Sequence, residues 1–420
     1  MRSYAVNSNI SLHYIPMEKL KTTSIGVYIH RPLNEEEAAM NALIPYVLKR
    51  GCKLAQNTAE LSNYLDNLYG ASLSAGVLKK GEDHIIAFDA ETISDRFAPE
   101  GERLLSEVIK LLLSVMFEPV TENNAFKAEY VEREKINLMD KIDGIINDKR
   151  SYAQYRCIQE MCGAEPFSIS RLGTKEGVEK ITPHLLYDYY RRIISNSAID
   201  VFVCGEADIE EITATIKSVK MPFEKAELPK TEILVKDTEQ KNVTEKMDIT
   251  QGKLSIGFRT NTKADDKDFI ALTVANSVFG SGTHSKLFNN VREKLSLCYY
   301  ASSLLDRFKG LVIVNAGIEF ENFEKARDEI FVQLEAVKKG DISDFEIESA
   351  INSLVNSYRS AYDDPSAMRG LYVSELLAGT GYSIADYIKM IKEVKKDDIV
   401  RAINKLEIDT VYFLTGKEEE

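Results

Sequence analysis

Two sets of segments in this sequence match one another at long range, and this constrains the fold more than any other feature. SIGVYI at 24–29 recurs as SIGFRT at 255–260, each followed by a charged loop and then a helical pattern. AELSNYLDNLYGASL at 59–73 matches SKLFNNVREKLSLCY at 285–299 in apolar spacing, with Leu61 over Leu287 and Leu65 over Val291. YYRRIISNSAIDVFVCG closes the first copy at Gly205 and VRAINKLEIDTVYFLTG the second at Gly416. Both closings read as a helix, a short turn and a buried strand. The chain is therefore two copies of one unit, in keeping with a length of 420 residues, too great for a single core.

Within each copy the order is strand, long helix, shorter helix, a hairpin such as ASLSAGVLKKGEDHIIAFDA, two or more helices and a final strand. Runs of helices beside meandering strands predict an α+β fold: two homologous lobes, each a mostly antiparallel sheet with helices packed on one face. VKMPFEKAELPKTE at 219–232 is polar and interrupted by Pro222 and Pro229, so the expected domains are 1–218 and 236–420, joined by a linker at 219–235. The tail beyond Gly416 is expected to fray.

Charge and apolar content narrow the function classes. Sixty-six acidic against fifty-three basic residues leave a net charge of −13, which argues against nucleic acid and anionic membranes and leaves room for cationic peptides. The opening MRSYAVNSNISLHYIP has no apolar run after its arginine, and no later segment reaches membrane-spanning length, so the expected location is the cytoplasm. Cys52, Cys157, Cys162, Cys204 and Cys298 form no CxxC and read as reduced thiols, with Cys157 and Cys162 packing rather than binding metal. His13, His30, His84, His184 and His284 contain no pair at ligand spacing.

VREKLSLCYY at 291–300 reads as the end of an amphipathic helix, Val291 and Leu295 at i and i+4, running through Leu297 into an aromatic strand. Arg292 and Tyr299 flank that junction, seven residues apart. Taken singly they would be a solvated cation and a packed phenol. The first copy has Asp66 and Leu73 at the matching positions, so repeat symmetry does not demand the pair.

Two such units resemble one chain of the insulinase or pitrilysin-type zinc peptidases, the inverzincins, over nearly the whole length. In that family the first helix carries H-x-x-E-H, whose two histidines bind zinc and whose glutamate is the general base, and a glutamate on a later helix completes the ligand set. Here the corresponding helix, AAMNALIPYVLKRG at 38–51, has Ala42 and Tyr46 at the histidine positions and Pro45 at the glutamate position. None of the three can do the family's job. Pro45 is also expected to kink or restart the helix. The later helix, VEREKINLMDKIDG, places Leu138, Met139 and Asp140 around the expected glutamate, with Glu129, Glu132 and Glu134 reading as a solvated face.

NDKRSYAQYRCIQEMCGAEPFSISRLG at 147–173 resembles a bacterial subgroup that lacks H-x-x-E-H and accompanies a sister chain that has it. By itself this stretch reads as a well-packed helix and a loop. In active members an Arg and a Tyr at this spacing, on the second lobe after a G-x-G loop, close over the zinc site of the opposite half; Arg292, Tyr299 and GSG at 280–282 resemble them. The resemblance implies a metal-free subunit of a heterodimeric peptidase with no cofactor of its own, zinc being held by an H-x-x-E-H-bearing sister. An extended peptide would be added to a sheet edge, with Arg292 and Tyr299 acting in trans on a substrate carbonyl and an oxyanion. The competing expectation is a catalytically silent peptide-binding or assembly protein, with a homodimer as the arrangement in isolation. An enzyme working alone by other chemistry is disfavoured, because no Ser, Cys or Asp sits in a nucleophile motif.

Overall fold

The strand Thr22–Pro32 is buried along nearly its whole length, as a central strand with covered faces must be. The computed structural model describes residues 1–99, 101–219, 224–233 and 239–417; Pro222, the expected linker at 220–223 and 234–235, and the tail at 418–420 lie outside the described residues. By contact the chain forms two units. One comprises Met1–Asp143, Ile169–Lys230 and Ala361–Leu377, the other Gly144–Ser168, Thr231–Ser360 and Ala378–Glu420. Each unit thus takes one short segment from the other copy's stretch of sequence. No helix among the described residues is long and apolar enough to cross a membrane.

In the first unit the sheet runs, in spatial order, Arg2–Ala5, Ile10–Pro16, Ile199–Gly205, Thr22–Pro32, Asp83–Ile93 and Ser72–Lys80. In the second it runs Lys241–Met247, Glu407–Gly416, Gly252–Arg259, Leu311–Ile318 and Cys298–Asp306. Apart from the extra edge strand Arg2–Ala5, the two orders are the same. Each contains one parallel pair, Ile10–Pro16 with Ile199–Gly205 and Lys241–Met247 with Glu407–Gly416, and every other pairing is antiparallel. The α+β fold with two repeated, mostly antiparallel lobes is what the sequence pattern describes.

Alternation along the central strands separates two kinds of packing. Ile25, Val27 and Ile29 join the large apolar cluster that also holds Ala42, Leu43 and Val47 of the helix Glu35–Leu48. Ser24, Gly26 and Tyr28 point the other way, where the helix Pro365–Ala378 closes the sheet. Its buried Arg369 donates to Ser24 Oγ, to Tyr28 Oη at 3.2 Å and to Asp89 Oδ1 at 2.6 Å. At Gly26 a Cβ would lie 2.6 Å from Tyr28 Oη and 2.9 Å from Arg369 Nε, so the missing side chain leaves room for both the phenol and the guanidinium.

The second unit repeats the device with Gly257, where a Cβ would lie 2.7 Å from Met161 Sδ and 3.5 Å from Cys157 Sγ of the helix Lys149–Met161. Ala153 and Cys157 pack on Tyr412 and Leu414, and Met161, Cys162 and Phe167 on Leu311 and Ile313. Buried Arg259 reaches Asp409 at 2.7 Å, Glu165 at 2.7 Å and the Met161 carbonyl at 3.0 Å, and Lys309 reaches Glu165 at 2.8 Å. The stretch 147–173 therefore serves in packing. All five cysteines are buried free thiols, and burial pushes Cys162 up to about 12.

A chain of buried ionisable groups crosses the first sheet. Asp200 lies 2.6 Å from His13 Nε2 and 3.2 Å from His30 Nε2, while His30 Nδ1 lies 2.6 Å from Asp83. Burial opposes the charge on His30, but the Asp83 and Asp200 carboxylates outweigh it and raise the imidazole to about 9. Its contribution to stability is complete below the ordinary value of 6.5 and is lost as pH rises through about 9. The urea midpoint of the wild type is expected to fall towards that of His30→Gln over this interval; midpoints that stay a constant distance apart would show that the ring is not charged in the folded chain. Gly257→Val is expected to cost about 2 kcal/mol through overpacking against Met161 and Cys157, and an unchanged midpoint would show that the helix can yield.

Candidate functional site

The helix Glu35–Leu48 is capped by Asn34, whose side chain accepts from the Glu36 amide at 2.8 Å, and its first turn carries three glutamates that suit the helix dipole. It does not restart at Pro45. A single helix runs through that residue, and the Lys49 amide bonds back to the Pro45 carbonyl at 3.2 Å. Pro45 stands in the last turn, where only the bond to the Asn41 carbonyl is forgone.

Around this helix the contacts fit side chains, not a metal. Ala42 is fully buried in the apolar cluster. The Tyr46 ring faces Lys141, whose Nζ lies 3.6 Å from the ring centroid. Lys141 belongs to the helix Ala128–Gly144, on which Leu138 is buried, Met139 half-buried and Asp140 exposed. Where zinc would need a carboxylate from this helix, the chain supplies an ammonium against an aromatic face. Among the described residues no group of three or more His, Cys, Asp or Glu side chains could hold a metal ion.

Glu134 corrects one sequence expectation. Val131, Glu134, Lys135 and Leu138 form the helix's buried stripe, so Glu134 faces inward and pairs with Arg50, while Glu129 and Glu132 are exposed. Beside Ala42, Asn41 accepts from Tyr189 Oη at 2.7 Å and donates to His84 Nδ1 at 3.2 Å. His84 Nε2 in turn donates to the Arg171 carbonyl at 2.9 Å, which fixes a neutral tautomer, and burial takes the ring down to about 4. His84 is a satisfied core histidine.

The second unit builds something different at the matching place. The first copy's helix Thr58–Asn67 is α-helical, with Asp66 exposed, and Leu73 pairs with Ala90 in regular register and is buried. In the second copy Leu287–Lys294 is a π-helix, a rare geometry frequent at functional sites. Its wider turn breaks the expected i, i+4 face: Val291 is fully buried while Leu295 is 44% exposed. Arg292 projects from it, half exposed, stacked over Phe288 at 4.6 Å and 3.5 Å from Glu293.

Cys298 and Tyr300 then pair with the successive residues Ile318 and Gly317, leaving Tyr299 as the extra residue of a β-bulge. A bulge on an edge strand re-aims a side chain. Tyr299 is 63% exposed, which excludes a phenol packed under the strand, and its hydroxyl donates to Glu319 at 2.9 Å. Tyr300 instead lies under the Arg150 guanidinium at 4.2 Å. The loop after the helix Phe269–Phe279 brings Gly280 so close to the strand that a Cβ would lie 2.5 Å from Ser303 Oγ. Arg292 and Tyr299 share the rim of a surface recess of about 420 Å³ with Glu293, Ser296, Glu319 and Asn322. Neither Lys141 nor Glu319 belongs to a recognisable spacing, and sequence reasoning passes over both.

A family profile described as the peptidase M16 inactive domain matches residues 180–354. The chain is 36% identical over 413 residues to the probable inactive metalloprotease YmfF of Bacillus subtilis strain 168, spanning 98% of this chain and 97% of that one. It is similar to the crystal structure of a conserved protein from Enterococcus faecalis V583, at 30% identity and a TM-score of 0.90, over 100% of this chain and 99% of that chain. A peptidase M16 inactive domain from Pseudomonas fluorescens shares the fold, with a TM-score of 0.81 at 14% identity over 100% and 99% of the two chains.

Metal analysis after dialysis is expected to find no stoichiometric zinc, because Ala42, Pro45 and Tyr46 offer no competent ligand and Lys141 holds a charge of the wrong sign. The variant Ala42→His/Pro45→Glu/Tyr46→His is expected to bind zinc only weakly until Met139→Glu is added. Tight binding by the triple variant would show that Lys141 gives way freely.

Proposed function

The chain belongs to the M16, insulinase or pitrilysin-type, peptidase family as an inactive-type homologue, and from that premise we propose that it is the metal-free half of a two-chain zinc peptidase. In this reading an H-x-x-E-H-bearing sister subunit holds the zinc, which supplies the activated water, and this chain supplies Arg292 and Tyr299 in trans. A phenol can donate to the oxyanion that develops at the scissile carbonyl, and a guanidinium can hold a neighbouring carbonyl of the substrate. The chain itself carries no cofactor in this proposal, acts in the cytoplasm and takes an extended peptide along a sheet edge.

One observation carries the reading: the π-helix and the bulge that expose Arg292 and Tyr299 over one recess exist in the second copy alone, where the first copy has a plain helix and a buried leucine. π-helical turns and bulges are both frequent at functional sites. The likeness to a probable inactive metalloprotease of Bacillus subtilis favours a second reading, a silent peptide-binding or assembly protein.

Steady-state cleavage of a fluorogenic peptide by the reconstituted pair separates the two. Tyr299→Phe keeps the ring and deletes one donor, so turnover is expected to drop roughly a hundredfold to a thousandfold with assembly intact. Arg292→Lys keeps the charge and loses the planar fork, with part of its effect in KM. Tyr300→Phe, whose ring lies under the Arg150 guanidinium and does not line the recess, is the control expected to change little. Tyr299→Phe complexes that assemble and cleave at the wild-type rate would favour the silent protein.

A further inference from the structure

The recess that holds Arg292 and Tyr299 also holds a carboxylate that the catalytic reading does not use. Glu319 follows the strand Leu311–Ile318 directly, and its Oε1 accepts the Tyr299 hydroxyl at 2.9 Å. A phenol has one proton to donate. While that proton points at Glu319, Tyr299 can offer an oxyanion nothing, and the carboxylate places a negative charge where negative charge would have to develop. Arg292 is likewise engaged at rest, against Glu293 at 3.5 Å and over the Phe288 ring at 4.6 Å.

We propose that Glu319 is an internal acceptor that keeps Tyr299 in a resting, non-donating state, released when a peptide occupies the recess of the assembled pair. The proposal rests on the reading of Arg292 and Tyr299 given above and names the regulation of that same site. Three features fit it. Tyr299 is the bulged residue and has no ladder partner opposite, so its side chain can turn without breaking the sheet. The residue is 63% exposed, so little packing opposes the movement. The contact is one exposed hydrogen bond, weak enough for a substrate carbonyl to displace. The neighbouring carboxylate also holds the Tyr299 phenol above its ordinary pKa, keeping the proton on the oxygen that has to donate it.

The test removes the acceptor. In the pair reconstituted with the H-x-x-E-H sister chain and assayed on a fluorogenic peptide, Glu319→Ala is expected to raise kcat by roughly fivefold, the worth of one such hydrogen bond, with KM little changed. In the Tyr299→Phe background the same substitution is expected to give no gain. In the free chain, 3-fluorotyrosine placed at 299 reports the contact by fluorine NMR: the phenol is expected to titrate at lower pH in Glu319→Ala than in the wild type, and coincident curves would overturn the proposal without any assay of cleavage. An unchanged or lowered kcat in Glu319→Ala, together with a crippled Tyr299→Phe, would overturn the resting contact and leave the trans-acting pair standing. A silent Tyr299→Phe would remove the trans-acting pair, and the role of Glu319 with it.

Discussion

At Gly26 and Gly257 the two sheets offer bare backbone where any other residue would offer a side chain, and the second face of each sheet is closed on that condition. The helices that close them bring charge as well as apolar surface. A buried guanidinium needs acceptors within reach, and each lobe provides them differently. Positions 28 and 259 are equivalent in the repeat, yet the first is a tyrosine that meets Arg369 from the covering helix, while the second is itself the arginine, answered by Glu165 and Asp409. The duplicated frame survives, with the cation moved from one partner to the other.

The copies have also diverged in what they present to a ligand. In the first lobe the helix that would hold metal is secured by contacts that need none: Lys141 against Tyr46, Arg50 with Glu134, and the line from Tyr189 through Asn41 to His84. In the second lobe local regularity gives way to a π-helix and a bulge. The exposed polar groups of that lobe's recess follow from these distortions, because a regular helix and strand would have turned residue 299 inward as they do Leu73.

The repeat and the mostly antiparallel α+β class were legible in the sequence, because apolar periodicity suffices to read them, whereas the reading of Ala42, Pro45 and Tyr46 rested on a family resemblance. What was not legible depends on long-range company. The helix Lys149–Met161 shows one apolar face, but periodicity cannot say which sheet that face meets, and it meets the strand of Gly257. The five histidines looked scattered, yet strands far apart in sequence bring His13 and His30 to one Asp200. Glu134 was misread because two of its neighbours are solvated and only the helix phase turns it inward. The i, i+4 reading of Val291 and Leu295 failed where the turn itself is not α-helical.

The crossing of segments between the copies also fixes an order of events during synthesis. Ser24 and Arg369 stand 345 positions apart, so a ribosome that has finished every strand of the first sheet has yet to make the residue that seals it. Until then Ser24, Tyr28 and Asp89 face water or a chaperone, and the loop to be closed is among the longest the chain contains. A stop codon just before Ala361 would remove only residues that belong by sequence to the second copy, yet it would leave the first sheet uncovered on one side.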